Sequence, residues 1–111
     1  MRGVLLGVAI VASHAQADTT AGTSVSQLMI LEPGDASYKL FHGAVWLDAD
    51  KASTNYRWGG LQCKGRDISD NSVQLLFAAF RSEYHVKLEY VVSDYKDKQY
   101  RCITGFTVMR S

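Results

Sequence analysis

The chain has few cysteines and almost no surplus charge. It contains two cysteines in 111 residues, and twelve Lys and Arg stand against eleven Asp and Glu. Proteins that bind nucleic acid rely on clustered surplus positive charge, and capture by anionic lipid needs a run of Lys and Arg. The charge balance therefore argues against nucleic acid and against an anionic lipid surface as partners.

Recognisable catalytic and metal-binding motifs are also missing. Two thiols are too few for a structural zinc site unless histidines help, and His42 and His85 are isolated. An acid–base pair of these two histidines, supported by Glu83 and Lys87, is the one arrangement with ribonuclease-like chemistry, but no spacing links them. We therefore expect a non-enzymatic protein with no metal and no cofactor.

The amino terminus has the three parts of an export signal. Arg2 supplies positive charge, residues 3–12 are uncharged and mostly apolar, and Ala15-Gln16-Ala17 is an A-x-A cleavage site. The apolar run is too short to cross a bilayer, which takes roughly 20 residues in a helix. The sequence thus predicts a signal peptide over residues 1–17, a mature chain without a membrane span, and a periplasmic or secreted location.

Both cysteines, Cys63 and Cys102, lie in the exported part of the chain. An oxidising compartment allows such a pair to form a disulfide. We expect the bridge to stabilise a small domain by roughly 4 kcal/mol.

The rest of the chain divides into a leader and one domain. Residues 18–24 are small, polar and unpatterned, and are expected to be a flexible leader. Residues 25–111 are expected to form one disulfide-clipped, β-rich domain. Strands are predicted at residues 25–31, 40–47, 55–58, 85–92 and 100–109. An amphipathic helix is predicted between the third and fourth strand, with an apolar core stripe of Val73, Leu76, Phe77, Phe80 and Tyr84.

This order of elements defines the expected fold class. Three strands, one helix and two strands is the order of an OB-like β-barrel, so the chain is expected to be mainly β. An α+β sandwich, with one helix packed on an antiparallel sheet, has the same order and is the alternative.

Aromatic and polar side chains cluster around the second and third predicted strands. Trp46, Tyr56, Arg57 and Trp58 combine flat rings with hydrogen-bonding groups, a combination suited to a sugar ring or a protein partner. The alternation along the third strand places Tyr56 and Trp58 on one face and Arg57 on the other, and burial in the core is the other explanation for the three aromatic residues. These four residues are the candidate ligand-binding site.

The carboxyl-terminal half contains LLFAAF, then VKLEY, then a turn and CITGFTV, between Leu75 and Val108. This run resembles the cell-binding B subunits of AB5 toxins of the subtilase-cytotoxin type and their small secreted bacterial relatives. The resemblance covers about a third of the chain. It implies an OB-like barrel, export through a bacterial periplasm, assembly into a homo-oligomeric ring and glycan binding, and it assigns no binding residue.

Together these features favour an exported, non-enzymatic binding module whose partner is a glycan or a protein. The alternative is a periplasmic inhibitor or envelope interaction protein that docks another protein. A small secreted hydrolase or nuclease is the third and weakest hypothesis.

Overall fold

The computed structural model describes residues 17–111, so the predicted signal peptide lies outside the described residues apart from Ala17. Strands dominate, and one helix interrupts them. The elements are β1 (Asp18–Thr19), β2 (Thr23–Ile30), β3 (Gly43–Leu47), β4 (Tyr56–Trp58), α1 (Asp70–Ser82), β5 (His85–Tyr95) and β6 (Lys98–Met109). The prediction of a mainly β chain with one helix between its third and fourth predicted strands is confirmed.

The strand pairings close into a ring. β2 pairs with β3, β3 with β4, β4 with β6, β6 with β5, and β5 returns to β2. All these pairs are antiparallel except β4 with β6, which meet as parallel strands at Arg57 and Cys102. The long β5–β6 hairpin is the largest part of the ring, and its tip projects beyond the short strand β4.

Residues 18–24, where the sequence predicts a flexible leader, begin with β1 and end in the first residues of β2. Asp18 and Thr19 pair with Tyr90 and Glu89 of β5, and the Thr20 side chain accepts a hydrogen bond of 2.9 Å from the Leu88 backbone nitrogen. β5 is long and offers a row of backbone donors and acceptors that β2 does not reach. Backbone pairing therefore orders this segment, although its side chains carry no hydrophobic pattern.

The hydrophobic core lies inside the ring and beneath α1. Its buried members are Val25, Val45, Leu47, Tyr56, Trp58, Leu76, Ala79, Val86, Leu88 and Ile103. β3 shows why: Val45 and Leu47 are buried at alternate positions, as a strand with one face on the core requires. Gly43 belongs to the same face, because a Cβ atom there would collide with the ring of Trp58.

The helix forms where it is predicted but buries a different stripe. The Ser69 side chain caps its amino terminus by accepting a hydrogen bond from the Ser72 backbone nitrogen. Leu76 and Ala79 are buried, whereas Phe77 is 46% and Phe80 is 37% exposed. The assignment of both phenylalanines to the core is therefore wrong. The face of α1 that meets the core is the one that carries Leu76 and the small Ala79 side chain.

The predicted disulfide between Cys63 and Cys102 is present, with Cα atoms 5.5 Å apart. Both cysteines are fully buried, and with Val91 and the half-buried Tyr100 they form a second, smaller apolar cluster. This cluster packs separately from the main core. The bridge therefore ties the loop after β4 to strand β6.

Candidate functional site

The four residues predicted as a ligand-binding cluster separate onto two faces of the sheet. Tyr56 and Trp58 are 3% and 2% exposed and belong to the core, so they offer almost no surface to a ligand in the Arg57 region. Arg57 lies between them on the opposite face and is half-buried. Trp46 is half-buried as well, on the face opposite its core neighbours Val45 and Leu47.

Tyr56 has a structural role. Its hydroxyl donates a hydrogen bond of 2.7 Å to Oδ2 of Asp50, and its ring meets that of Tyr90 edge to face. Burial raises the pKa of Tyr56, and the hydrogen bond to Asp50 raises it further. The phenol therefore stays protonated and holds the turn after β3 against the core.

Arg57 is held between two aromatic rings. Its guanidinium carbon lies 4.0 Å from the centre of the Phe41 ring and 5.0 Å from the centre of the Tyr100 ring. A planar cation over an aromatic face is attracted by the negative charge of the ring face. Phe41 comes from the β2–β3 loop and Tyr100 from β6, so two distant segments meet at Arg57.

Two amide side chains fix the orientation of the guanidinium group. Nε of Arg57 donates a hydrogen bond of 3.0 Å to Oδ1 of Asn55, and Nη1 donates to Oε1 of Gln62. Gln62 is only 5% exposed. Burial lowers the pKa of Arg57, yet an arginine begins so far above neutrality that it keeps its charge.

The remaining nitrogen of this guanidinium group is open to a ligand. Within residues 17–111, Nη2 of Arg57 has no hydrogen-bond partner. No buried side-chain nitrogen or oxygen in that range lacks a partner, so Nη2 is not fully enclosed by the protein. Arg57 thus presents free N–H donors from a side chain whose position is already fixed.

A groove of about 200 Å³ runs beside Arg57. Its lining residues are Ser53, Asn55, Arg57, Gln99, Tyr100 and Arg101. A second hollow of about 260 Å³ shares Gln99, Tyr100 and Arg101 and extends to Val92. We call the combined surface the Arg57 groove. It offers two guanidinium groups, amides, hydroxyls and one aromatic ring, and its lining contains no carboxylate side chain.

The two histidines line separate cavities. Nδ1 of His42 lies 3.1 Å from Oδ2 of Asp67, and its ring stacks on that of Tyr38 with centres 4.0 Å apart. His85 lines a different hollow, together with Glu83. The arrangement that a two-histidine mechanism would need is therefore not formed.

In the described range, no group of three His, Cys, Asp or Glu side chains is placed to hold a metal ion. No helix among residues 17–111 has the length and hydrophobicity needed to cross a membrane. Comparisons of the chain with protein-family models, with curated proteins and with solved structures found no match.

Sequence reasoning found Arg57 but missed its neighbours. Phe41, Gln62, Tyr100 and Arg101 come from three segments that only the folded chain brings together. The position of Gln62 next to Cys63 and of Tyr100 two residues before Cys102 is the one signal that links them. A predicted bridge between these cysteines brings Gln62 and Tyr100 close in space.

Proposed function

We propose that this protein is an exported, non-enzymatic binding module that takes a glycan in the Arg57 groove. The observation that carries the proposal is the half-buried Arg57 guanidinium, held between Phe41 and Tyr100 with donors left free beside an open groove. A rigidly held donor loses little conformational entropy when it binds, which favours affinity.

The chemistry of the groove suits a sugar better than an apolar ligand. Ring hydroxyls of a sugar both donate and accept hydrogen bonds, and the groove supplies amide and hydroxyl partners from Ser53, Asn55 and Gln99. The Tyr100 ring offers a flat apolar face for the C–H groups of a sugar. Arg57 and Arg101 add positive charge, and a guanidinium group binds a carboxylate with two parallel hydrogen bonds. We therefore expect glycans that carry an acidic sugar to bind best.

The fold supports the same proposal. The strand ring runs β2–β3–β4–β6–β5 and contains one parallel contact, between β4 and β6. This ring supports an OB-like barrel over the alternative sandwich, since a sandwich leaves its sheets open at the edges. OB-folds bind oligosaccharides and oligonucleotides on the face of their second and third strands. Here those strands are β3 and β4, which carry Trp46 and Arg57.

The proposal includes a location outside the cytoplasm. The disulfide is compatible with an oxidising compartment, and the amino-terminal pattern predicts export. The resemblance to B subunits of AB5 toxins, which spans α1, β5 and β6, adds glycan binding and ring assembly as expectations. In this view the protein recognises a cell-surface or envelope glycan and carries out no chemistry itself.

A glycan array followed by titration tests the proposal. The exported chain, with its disulfide intact, is screened on glycans that carry neutral or carboxylate-bearing sugars, and the best ligand is titrated against variants. Arg57→Lys keeps the positive charge but loses the planar fork, and Arg101→Ala removes the exposed guanidinium. Each change is expected to weaken binding at least about tenfold, which is the loss of one good interaction.

Arg66→Ala is the matched control, because Arg66 is exposed and lies outside the lining of the groove. It should leave affinity unchanged. Denaturation curves verify that Arg57→Lys is folded, and Arg101→Ala tests the groove without disturbing a buried group. Unchanged affinity in both variants, or no glycan binding by the wild type, would overturn the proposal. Light scattering during size-exclusion chromatography tests ring assembly separately, since a ring and a monomer differ severalfold in mass.

A further inference from the structure

A second groove, of opposite charge, lies between α1 and the end of β2. It consists of two adjoining hollows of about 360 and 140 Å³ that share Ile30 and Val73. The first is also lined by Leu28, Glu32, Gln74 and Phe77. The second is also lined by Leu31, Tyr38, His42, Trp58, Asp67, Ile68 and Asp70. We call this surface the acidic trough.

The wall of the acidic trough exposes large apolar side chains to water. Ile30 is 44% and Phe77 is 46% exposed, while Leu28 and Val73 continue the apolar surface down to the core. Contiguous exposed apolar surface on a small domain is typical of an interaction site. The apolar side chains on α1 that the core does not bury are therefore available to a partner.

The charge of the trough defines the chemistry of that partner. Glu32, Asp67 and Asp70 line it, and the cation Arg81 lies beside this lining, with its guanidinium carbon 5.8 Å from the centre of the Phe77 ring. His42 contacts one carboxylate oxygen of Asp67, and the Ile68 backbone nitrogen donates to the other, which fixes this side chain in position. An acidic rim around an apolar groove complements a segment that combines apolar and basic side chains.

The backbone of β2 favours an extended polypeptide as that segment. Residues 25–30 pair with β3 on one side, but on the other side β2 pairs with β5 only at Thr23 and Ser24. Within the described part of the chain, residues 26–30 therefore have no strand partner on that second edge, and α1 also contacts β2. A free strand edge beside apolar side chains is the setting in which a peptide adds as a further strand.

We propose that the acidic trough binds an extended peptide segment of another protein, with apolar side chains at alternate positions and lysine or arginine next to them. The apolar side chains lie against Ile30 and Phe77, and the basic groups face Glu32, Asp67 and Asp70. This site shares no lining residue with the Arg57 groove, so it is separate from the glycan site proposed above.

A displayed library of random peptides, selected on the folded protein with its disulfide intact, supplies the probe. Selected sequences are expected to combine apolar and basic residues. One of them is synthesised and titrated by fluorescence anisotropy. Phe77→Ser should weaken binding at least tenfold, and the double change Glu32→Gln with Asp70→Asn should weaken it severalfold and reduce its dependence on salt.

Two matched controls separate the trough from general surface effects. Leu61→Ser removes an equally exposed apolar side chain, 47% exposed, and Asp97→Asn removes a carboxylate at the hairpin tip. Both should leave affinity within about twofold of the wild type. Perturbed amide signals of the wild type in a nuclear magnetic resonance titration should be confined to β2, the β2–β3 loop, residues 67–69 and α1.

Three outcomes would overturn the proposal. Selected peptides without basic residues would show that the carboxylates of the trough do not determine the partner. If the control variants weaken binding as much as Phe77→Ser, the peptide does not bind in the trough. If the wild type is an oligomer that Phe77→Ser converts to a monomer, a second copy of the chain covers the trough instead of a foreign peptide.

Discussion

Arg57 of β4 and Cys102 of β6 form the backbone pair at which these two strands run parallel, and Cys102 is also bonded to Cys63. Gln62 and Tyr100, which position the Arg57 side chain, lie within two residues of the two cysteines. The covalent bridge and the Arg57 groove are therefore parts of one local arrangement.

Removal of the bridge should destabilise the whole fold. The double change Cys63→Ala with Cys102→Ala frees a loop with a sequence separation of 39 residues. We expect the free energy of unfolding to fall by about 4 kcal/mol, because the unfolded chain regains the entropy of that loop. Urea denaturation measures the change, and wild-type protein unfolded under reducing conditions should show the same loss. A loss below about 1 kcal/mol would contradict the expected role.

The orientation of α1 predicts a large loss of stability for a substitution at Leu76 and a small loss for one at its neighbour Phe77. Leu76→Ala should lower the free energy of unfolding by about 3 kcal/mol, because it leaves a cavity at a fully buried position. Phe77→Ala should lower it by less than about 1 kcal/mol, because nearly half of this side chain already meets water. Parallel urea curves measure both changes. Equal losses would mean that the helix is turned differently about its axis.

A side chain at position 43 should destabilise the fold. Gly43→Ala would push a Cβ atom into the Trp58 ring, and we expect a loss of about 1–3 kcal/mol, as in other overpacked cores. Gly34→Ala is the control, since a Cβ atom there meets nothing within 4 Å. Thermal denaturation of the two variants should show a lower midpoint for the first alone. A wild-type midpoint for Gly43→Ala would contradict the close packing of Trp58.

Tyr56 should make the fold sensitive to alkaline solution. Its pKa is raised in the folded state, first by burial and then by the hydrogen bond to Asp50. Above the unfolded-state pKa of about 10, the unfolded chain loses this proton while the folded chain keeps it. The free energy of unfolding therefore falls as pH rises, with a slope from this group of up to about 1.4 kcal/mol per pH unit.

The Tyr56→Phe variant lacks that slope. At neutral pH it should lose about 1 kcal/mol, because Asp50 loses its hydrogen-bond partner. Urea denaturation from about pH 9 to pH 11 should then show a flatter decline for the variant than for the wild type. Identical slopes would mean that Tyr56 ionises equally in both states.

The order of the elements could be predicted from the sequence because alternation and turn residues are local signals. The hairpin between β5 and β6 shows a place where these local signals fail. The predicted strands stop at residue 92 and start again at residue 100. The ladder nevertheless continues to Tyr95 and Lys98, and the turn is Lys96–Asp97, both at positive φ. Outside the core both faces of a ribbon meet water, so no hydrophobic alternation marks the strand.

Which side of each strand faces the core was harder to predict than the order of the elements. In β6, Thr104 is an extra residue between the pairs Tyr90–Ile103 and Glu89–Gly105. This irregularity lets both Ile103 and Phe106 face the main core, although they are three positions apart in the strand. Strict alternation cannot anticipate such a bulge, because the bulge depends on how two strands curve together.

The site was predictable only in part for the same reason. The strand reading placed Arg57 opposite Tyr56 and Trp58, and this placement is what the structure has. It left open which of the two faces is the core. The rings around Arg57 come from segments about 16 and 43 residues away in the chain, and such contacts depend on the topology of the ring.

The bond between Cys63 and Cys102 also changes how the protein responds to a stretching force. The segment between these cysteines contains α1, β5 and the start of β6. When the chain is pulled from its ends, the load passes through the sulfur atoms and bypasses this segment. The sequence separation of 39 residues, roughly 130 Å when extended, then adds nothing to the contour length. A translocation motor or a narrow pore would have to admit more than one chain segment at once until a reductant opened the loop.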